Sequence, residues 1–265
     1  MRKLLPKLLV AAAFAALPLA QAAEHGEADG QCRALEVAHW KADTEIGNSA
    51  SLQRGARNFM GYCAGCHSLK YIRYSRIAND LGIPEAQLEK SLLPAGATKN
   101  DYVTAPLDVA DGNAWFGKAP PDLSLIARSR GTDYLFQFLK SFYADPAAPS
   151  GVNNLSLPGT AMPHVLSALQ GVPEAVRCTL TESVGGEGGA AKGDVVVQKL
   201  DVPVAGQLSA AEYDAFVRDT VNFLDYVGEP AKLQRTAIGV WVILFLLVFT
   251  GFAYLLKQEY WKDVK

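Results

Sequence analysis

The most restrictive feature of this chain lies near its C-terminus, where Ala237 to Leu256 (AIGVWVILFLLVFTGFAYLL) carries no charge. A helix needs roughly 20 apolar residues to cross a ~30 Å hydrocarbon layer, so the stretch predicts one transmembrane helix, 237–256. Lys232 and Arg235 flank it on one side and Lys257, Lys262 and Lys265 on the other, with Trp241, Tyr254, Tyr260 and Trp261 near the two interfaces. A buried core helix so uniformly apolar, next to a charged chain end, is improbable. The other end has a different pattern. Arg2, Lys3 and Lys7 precede an apolar run from Leu8 to Leu19 and the small-residue site Ala20-Gln21-Ala22, so residues 1–22 read as a cleaved signal peptide. The run is short for a membrane span and is broken by Pro18. Export followed by one span puts residues 23–232 outside the cytoplasm and the tail 257–265 inside, in keeping with its lysines.

Residues 23–232 suffice for one domain with its own core. The formal net charge of the 265-residue chain is −2, and loss of the basic leader makes the mature chain more acidic. That balance argues against nucleic acid as a partner. Asn48 or Ser49 can cap a first helix on which Leu52, Ala56, Phe59 and Cys63 recur at helical spacing. Helices are also expected over Tyr71–Asp80, from Pro84 to Leu93, over Leu123–Arg128 and over Asp133–Tyr143. The Gly-, Pro- and Asp-rich stretches Pro94–Pro121 and Ala144–Pro163 read as irregular, and Gly185–Gly193 as a flexible insertion. Ser209 and Glu212 form a capping box ahead of an amphipathic helix carrying Phe216, Thr220, Phe223, Leu224 and Val227, stopped by Gly228 and Pro230. Strand-like alternation is scarce apart from Val195–Val197. The expected class is mainly α with long loops.

Cys63-Ala64-Gly65-Cys66-His67 carries the chemistry. Two thiols three positions apart on a helical turn can each add to a vinyl group of one haem, and the histidine that follows can offer a ring nitrogen to the iron. A structural zinc site would want four ligands, usually two pairs; Cys32 and Cys178 are far apart and neither lies in a second CxxC. A thiol–disulfide oxidoreductase would be expected on a βαβ framework, which the chain does not display. For the sixth ligand, Met1 leaves with the leader and Met60 lies one turn before Cys63 on the same helix. Met162 remains, in the loop Leu157–Pro163 between two prolines. His164 stands two residues on as a bis-histidine alternative, its ordinary role being, like that of His25 and His39, a surface or hydrogen-bonding histidine. With His67 and Met162 as axial ligands no position stays open to substrate. The expected chemistry is then one-electron transfer, with no bond made or broken and no catalytic residue.

With these residues in view, the sequence resembles the cytochrome c1 family, the c-type haem subunit of the proteobacterial cytochrome bc1 complex (ubiquinol–cytochrome c oxidoreductase). The likeness rests on Arg54-Gly55 ahead of C-A-G-C-H, A-P-P-D-L-S-L-I-A-R-S-R-G from Ala119 to Gly131, P-G-T-A-M-P-H from Pro158 to His164, and the C-terminal L-L-K-Q-E-Y-W-K-D-V. It implies a class I cytochrome c-like domain with one covalent haem c, attached at Cys63 and Cys66 and ligated by His67 and Met162. It also implies that Pro120 and Pro121 pack on the haem and that Arg128, Arg130 and Tyr134 lie near a propionate, where a guanidinium meets a partly buried carboxylate. The plain alternative for Arg128 and Arg130 is a solvated helix face.

The implied role is to take an electron from the Rieske iron–sulfur protein and pass it to a cytochrome c-type acceptor, beside cytochrome b in the inner membrane lipid and within a dimeric complex. The resemblance further implies that the helix after Ser209 crosses the first helix at Gly55. Many members of this branch carry a longer insertion after the methionine loop, sometimes with two cysteines. Here only Cys178 stands there and Cys32 is the other spare thiol, so oxidising export suggests a Cys32–Cys178 disulfide. A free-standing tethered cytochrome shuttle or oxidase subunit is the alternative, although such proteins more often have an N-terminal anchor and need no Ala119–Gly131 segment.

Overall fold

The computed structural model describes residues 32–180 and 194–263. The expected leader and the glycine-rich stretch 185–193 lie outside the described residues. In chain order the elements are α1 (Ser49–Tyr62), β1 (Leu69–Arg73), α2 (Tyr74–Leu81), α3 (Glu85–Ser91), β2 (Tyr102–Val103), α4 (Val109–Phe116), α5 (Ile126–Arg130) and α6 (Thr132–Lys140). There follow β3 (Phe142–Ala144), β4 (Val152–Asn154), α7 (Ser167–Gln170), β5 (Glu174–Thr179), β6 (Val195–Asp201), α8 (Ala210–Gly228) and α9 (Lys232–Tyr260). Among the described residues the strands form three antiparallel pairs, β1–β2, β3–β4 and β5–β6. Helices dominate, as composition and periodicity predict.

The core is organised on α8. Its capping box, Ser209 with Glu212, starts the helix, and every residue from Asp219 to Gly228 is buried. Helix α1, capped by the Asn48 side chain on the Ser51 amide, turns Leu52, Gly55, Ala56 and Phe59 against it. The crossing is close because Gly55 has no side chain: a Cβ there would stand 2.1 Å from the Asp219 carbonyl oxygen and 2.6 Å from Phe223 Cβ. Polar bonds fix the register. Arg54 holds the Asp219 carboxylate through Nε at 2.6 Å and Nη2 at 2.9 Å, and Ser51 Oγ donates to it at 2.7 Å. Helices α5 and α6 pack on α8 as well, with Tyr213 donating to the Leu139 carbonyl at 2.9 Å. The N-terminal lead straps this layer: the Ala42 amide and Lys41 reach Asp133, and Arg218 reaches the Ala42 carbonyl. Cys32 and Cys178 are disulfide-bonded, joining the lead to β5.

Helix α9 leaves α8 after a short turn, tied back by Lys232 on Asp225 (3.0 Å) and by Arg235 on Glu229. Its segment Ala237–Tyr260 is long and apolar enough to cross a membrane and is unburied by the rest of the protein.

Several expectations are corrected. Tyr71–Arg73 is strand rather than helix, because the Lys70 and Tyr71 amides donate to Asp122 and Ser124 Oγ, groups some fifty residues away. The stretch 94–121 is not wholly irregular. It contains β2 and also α4, capped by Asp108 on the Ala110 amide and stopped by Gly117 at φ 72°. Gly112 in mid-helix hides this element from periodicity, yet a Cβ there would lie 2.9 Å from Pro120 Cδ. Helix α6 ends at Lys140, and Phe142 and Tyr143 pair with β4, inside the stretch expected to be loop. The β5–β6 hairpin is longer than the Val195–Val197 signal.

Candidate functional site

Helix α1 delivers Cys63 to His67 as a continuation of its last turn: the Cys63 amide donates to Phe59 O at 2.8 Å and the His67 amide to Cys63 O at 2.9 Å. The thiols of Cys63 and Cys66 are half-buried and not bonded to one another. Burial, with Cys66 as neighbour, pushes the Cys63 thiol up to about 12, so Cys63 is not a thiolate. Reactive CxxC enzymes depend on a depressed thiol pKa, and the Cys63 thiol is shifted the other way.

His67 is buried and its Nδ1 donates to the Pro121 carbonyl at 2.7 Å. A carbonyl can only accept, so the proton sits on Nδ1 and the lone pair on Nε2. Burial lowers the His67 pKa, against the opposing pull of the Pro121 carbonyl and Asp122, which keeps the ring neutral. The Pro121 segment is itself fastened to the motif. Leu123 N donates to Ser68 O at 2.9 Å, and Asp122 accepts from the Lys70 and Ser124 amides, both at 2.9 Å. Asp122 therefore aligns the proline pair, a role that sequence reading missed although an aspartate directly after Pro-Pro is a turn signal. Pro120 in turn packs against Gly112 of α4.

Met162 is half-buried in its loop. Upstream, the buried Asn154 accepts from the Ser156 and Leu157 amides (2.9 and 3.1 Å) and donates to Phe138 O at 2.7 Å, and Asn153 Oδ1 accepts from the Gly159 amide at 2.8 Å. These asparagines were also missed; Asn-Asn before a Pro-Gly loop is the signal that could have found them. His164 is buried and stacked on Phe142, and His39 is exposed beside Glu36.

The Arg130 guanidinium lies 5.7 Å over the Tyr134 ring, and the Arg128 stem is 3.2 Å from where a Gly228 Cβ would be. Among the described residues neither arginine is paired with a carboxylate. Tyr134, Phe138, Phe142 and His164 form a ladder of ring contacts at 6.3, 5.1 and 5.0 Å, running from the Arg130 end to the methionine loop.

This donor set fits an iron porphyrin. It offers two alkylatable thiols on one helical turn, a neutral imidazole with Nε2 free, a thioether on a pinned loop, and guanidinium groups available to carboxylates. Among the described residues no three His, Cys, Asp or Glu side chains gather as a metal cluster.

The Cytochrome C1 family model matches residues 40–170 and 207–264, and the segment it skips holds β5 and β6. The chain is 48% identical to cytochrome c1 of Allochromatium vinosum over 223 residues, 84% of this chain and 88% of that protein. It is 39% identical to a protein named ammonia monooxygenase gamma subunit of Nitrosomonas europaea over 229 residues, 86% and 90% of the two chains. Cytochrome c1 of Rhodospirillum rubrum is 28% identical over 261 residues, 85% and 86% of the two.

Proposed function

Because the chain belongs to the cytochrome c1 family, we propose that it is the haem subunit of a cytochrome b–c1 complex, taking one electron from a Rieske iron–sulfur protein and passing it to a cytochrome c-type acceptor. The leader 1–22 is removed, the domain 23–232 faces the periplasm, 237–256 spans the inner membrane, and 257–265 is cytoplasmic. The unburied apolar helix α9 supports this arrangement.

When bound, the haem supplies one-electron exchange between ferric and ferrous iron. Cys63 and Cys66 would hold it through thioether bonds, and His67 would offer Nε2 to its iron. The Pro121 carbonyl keeps the His67 proton on Nδ1 and fixes the ring plane, as hydrogen-bonded partners of ligating histidines do. Met162 would hold the iron through its thioether, a donor that would favour the ferrous state. Arg130, Arg128 and Tyr134 would receive the propionates, and Pro120 and Pro121 would bound the apolar wall.

The observation that carries this reading is the 2.7 Å bond from His67 Nδ1 to Pro121 O, on the same turn as the two thiols. Purification in mild detergent tests it. The chain should retain covalent haem stain after denaturing electrophoresis and co-purify with b-type haem and an iron–sulfur protein. A colourless chain ends the haem reading, and a haem-bearing chain isolated alone favours a tethered shuttle. The relative named as an ammonia monooxygenase subunit motivates a second reading, membership of another membrane complex. Recovery with partners that lack b-type haem would support it.

A further inference from the structure

We propose that His164 is a positioning residue: by stacking on Phe142 it holds the downstream end of the Met162 loop and so sets the strength of sulfur–iron ligation. The inference rests on the reading of Met162 as axial ligand.

The loop from Leu157 to Pro163 is mostly exposed, with Leu157, Pro158, Gly159 and Ala161 all at the surface. Its position is therefore decided by its two ends. The upstream end is tied by Asn153 and Asn154, and Asn154 is bonded to Phe138 O and Ser141 Oγ. The first buried residue downstream of Met162 is His164, 7% exposed, whose ring lies 5.0 Å from that of Phe142 at an interplanar angle of 8°. Both anchors thus land on one rigid corner, where α6 runs into β3 through Phe138, Ser141 and Phe142. Phe142 is 1% exposed and braced edge-on by Phe138.

Pro163, between Met162 and His164, has a fixed φ, so displacement of the ring is transmitted to the methionine. Neither His164 nitrogen makes a hydrogen bond of good geometry among the described residues, and its polar neighbours are the Gly171 backbone and the Gln170 side chain. The ring face and its burial do the holding, and a phenyl ring can take over that task.

The test uses full-length holoprotein carrying His164→Ala or His164→Phe. Three quantities are read: the near-red absorption of the ferric sulfur–iron bond, the rate of imidazole binding to the ferric haem, and amide exchange over residues 160–162. His164→Ala should weaken the band, speed imidazole binding at least tenfold and raise loop exchange, while His164→Phe stays within twofold of the parent. A His164→Ala protein that melts earlier but keeps the band and the binding rate overturns the proposal, as does a His164→Phe protein that behaves like the alanine variant. Met162→Leu serves as the separate control. If it leaves the band and binding unchanged, the ligand assignment itself has failed, whatever His164 does.

Discussion

Substituting Gly55 by alanine should be among the most damaging single changes available in this domain. A Cβ at that position would meet the Asp219 carbonyl oxygen at 2.1 Å, Phe223 Cβ at 2.6 Å and Asp219 C at 2.8 Å. Unbonded carbon atoms prefer about 3.5–4.0 Å, so α1 and α8 must separate by on the order of 1 Å. The clashing atoms are backbone and Cβ, which no rotamer change can move. Overpacking typically costs about 1–3 kcal/mol, and this site belongs at the top of that range. For a domain of this size about 3 kcal/mol corresponds to a melting point lowered by roughly 6–12 °C. The separation also strains the Phe59–Phe223 contact and the Arg54–Asp219 pair, and it moves the helix end that carries Cys63 to His67. Thermal melting of the holoprotein followed by far-UV circular dichroism measures the effect. Gly61, on the same helix with nothing within 4 Å of its would-be Cβ, is the internal control. Gly61→Ala should be neutral or stabilise by up to ~1 kcal/mol through helix propensity. A Gly55→Ala protein melting within about 2 °C of the parent, under 1 kcal/mol by the same conversion, would refute the packing argument, as would an equal loss for Gly61→Ala.

Asn154→Ala strands the Ser156 and Leu157 amides and the Phe138 carbonyl; at about 0.5–1.5 kcal/mol for a typical hydrogen bond, hydrogen exchange in 155–162 should rise well before global unfolding. Met162→Leu should lower the reduction potential sharply in a potentiometric titration, and an unchanged potential counts against the thioether as ligand. Asp219→Ala should cost about 1.5–3 kcal/mol in urea unfolding, since it removes charged hydrogen bonds from Arg54 and Ser51. The Ala42 amide, then Lys41, hold the Asp133 carboxyl below its usual value. Its contribution is therefore fully present above about pH 4 and is lost as pH falls through the lower folded value. Asp133→Asn should flatten that acid-limb loss, and an unaltered slope would remove Asp133 as its source.

The local features of the fold were legible. The capping box at Ser209 and Glu212, the Asn48 cap and the apolar run to Leu256 each depend on residues within a few positions of one another. The spacing of Cys63, Cys66 and His67 is likewise local, because covalent geometry ties both thiols and the histidine to one turn. Gly55 was legible only through family resemblance: nothing near it in sequence says that Asp219 will arrive 2.1 Å from its missing methyl group. Where local signals misled, at Tyr71–Arg73 and Phe142–Tyr143, backbone amides had been taken by distant partners. Helix propensity, worth tenths of a kcal/mol per residue, cannot outweigh hydrogen bonds supplied from elsewhere in the chain.

The sequence by itself thus determined the chemistry on offer, two thiols, an imidazole and a thioether, together with an apolar stretch long enough to cross a membrane. It did so because motif spacing and hydrophobic length are properties of contiguous residues. Only the tertiary structure decided the presentation of these groups: the Pro121 carbonyl leaves Nε2 of His67 with the lone pair, and Asn153, Asn154 and Phe142 hold the methionine loop. Pro121 lies 54 residues from His67, and Phe142 is on a separate element from His164. Asn153 and Asn154 act on nearby amides, but Asn154 is itself placed by Phe138 and Ser141, and these approaches follow from how the elements pack.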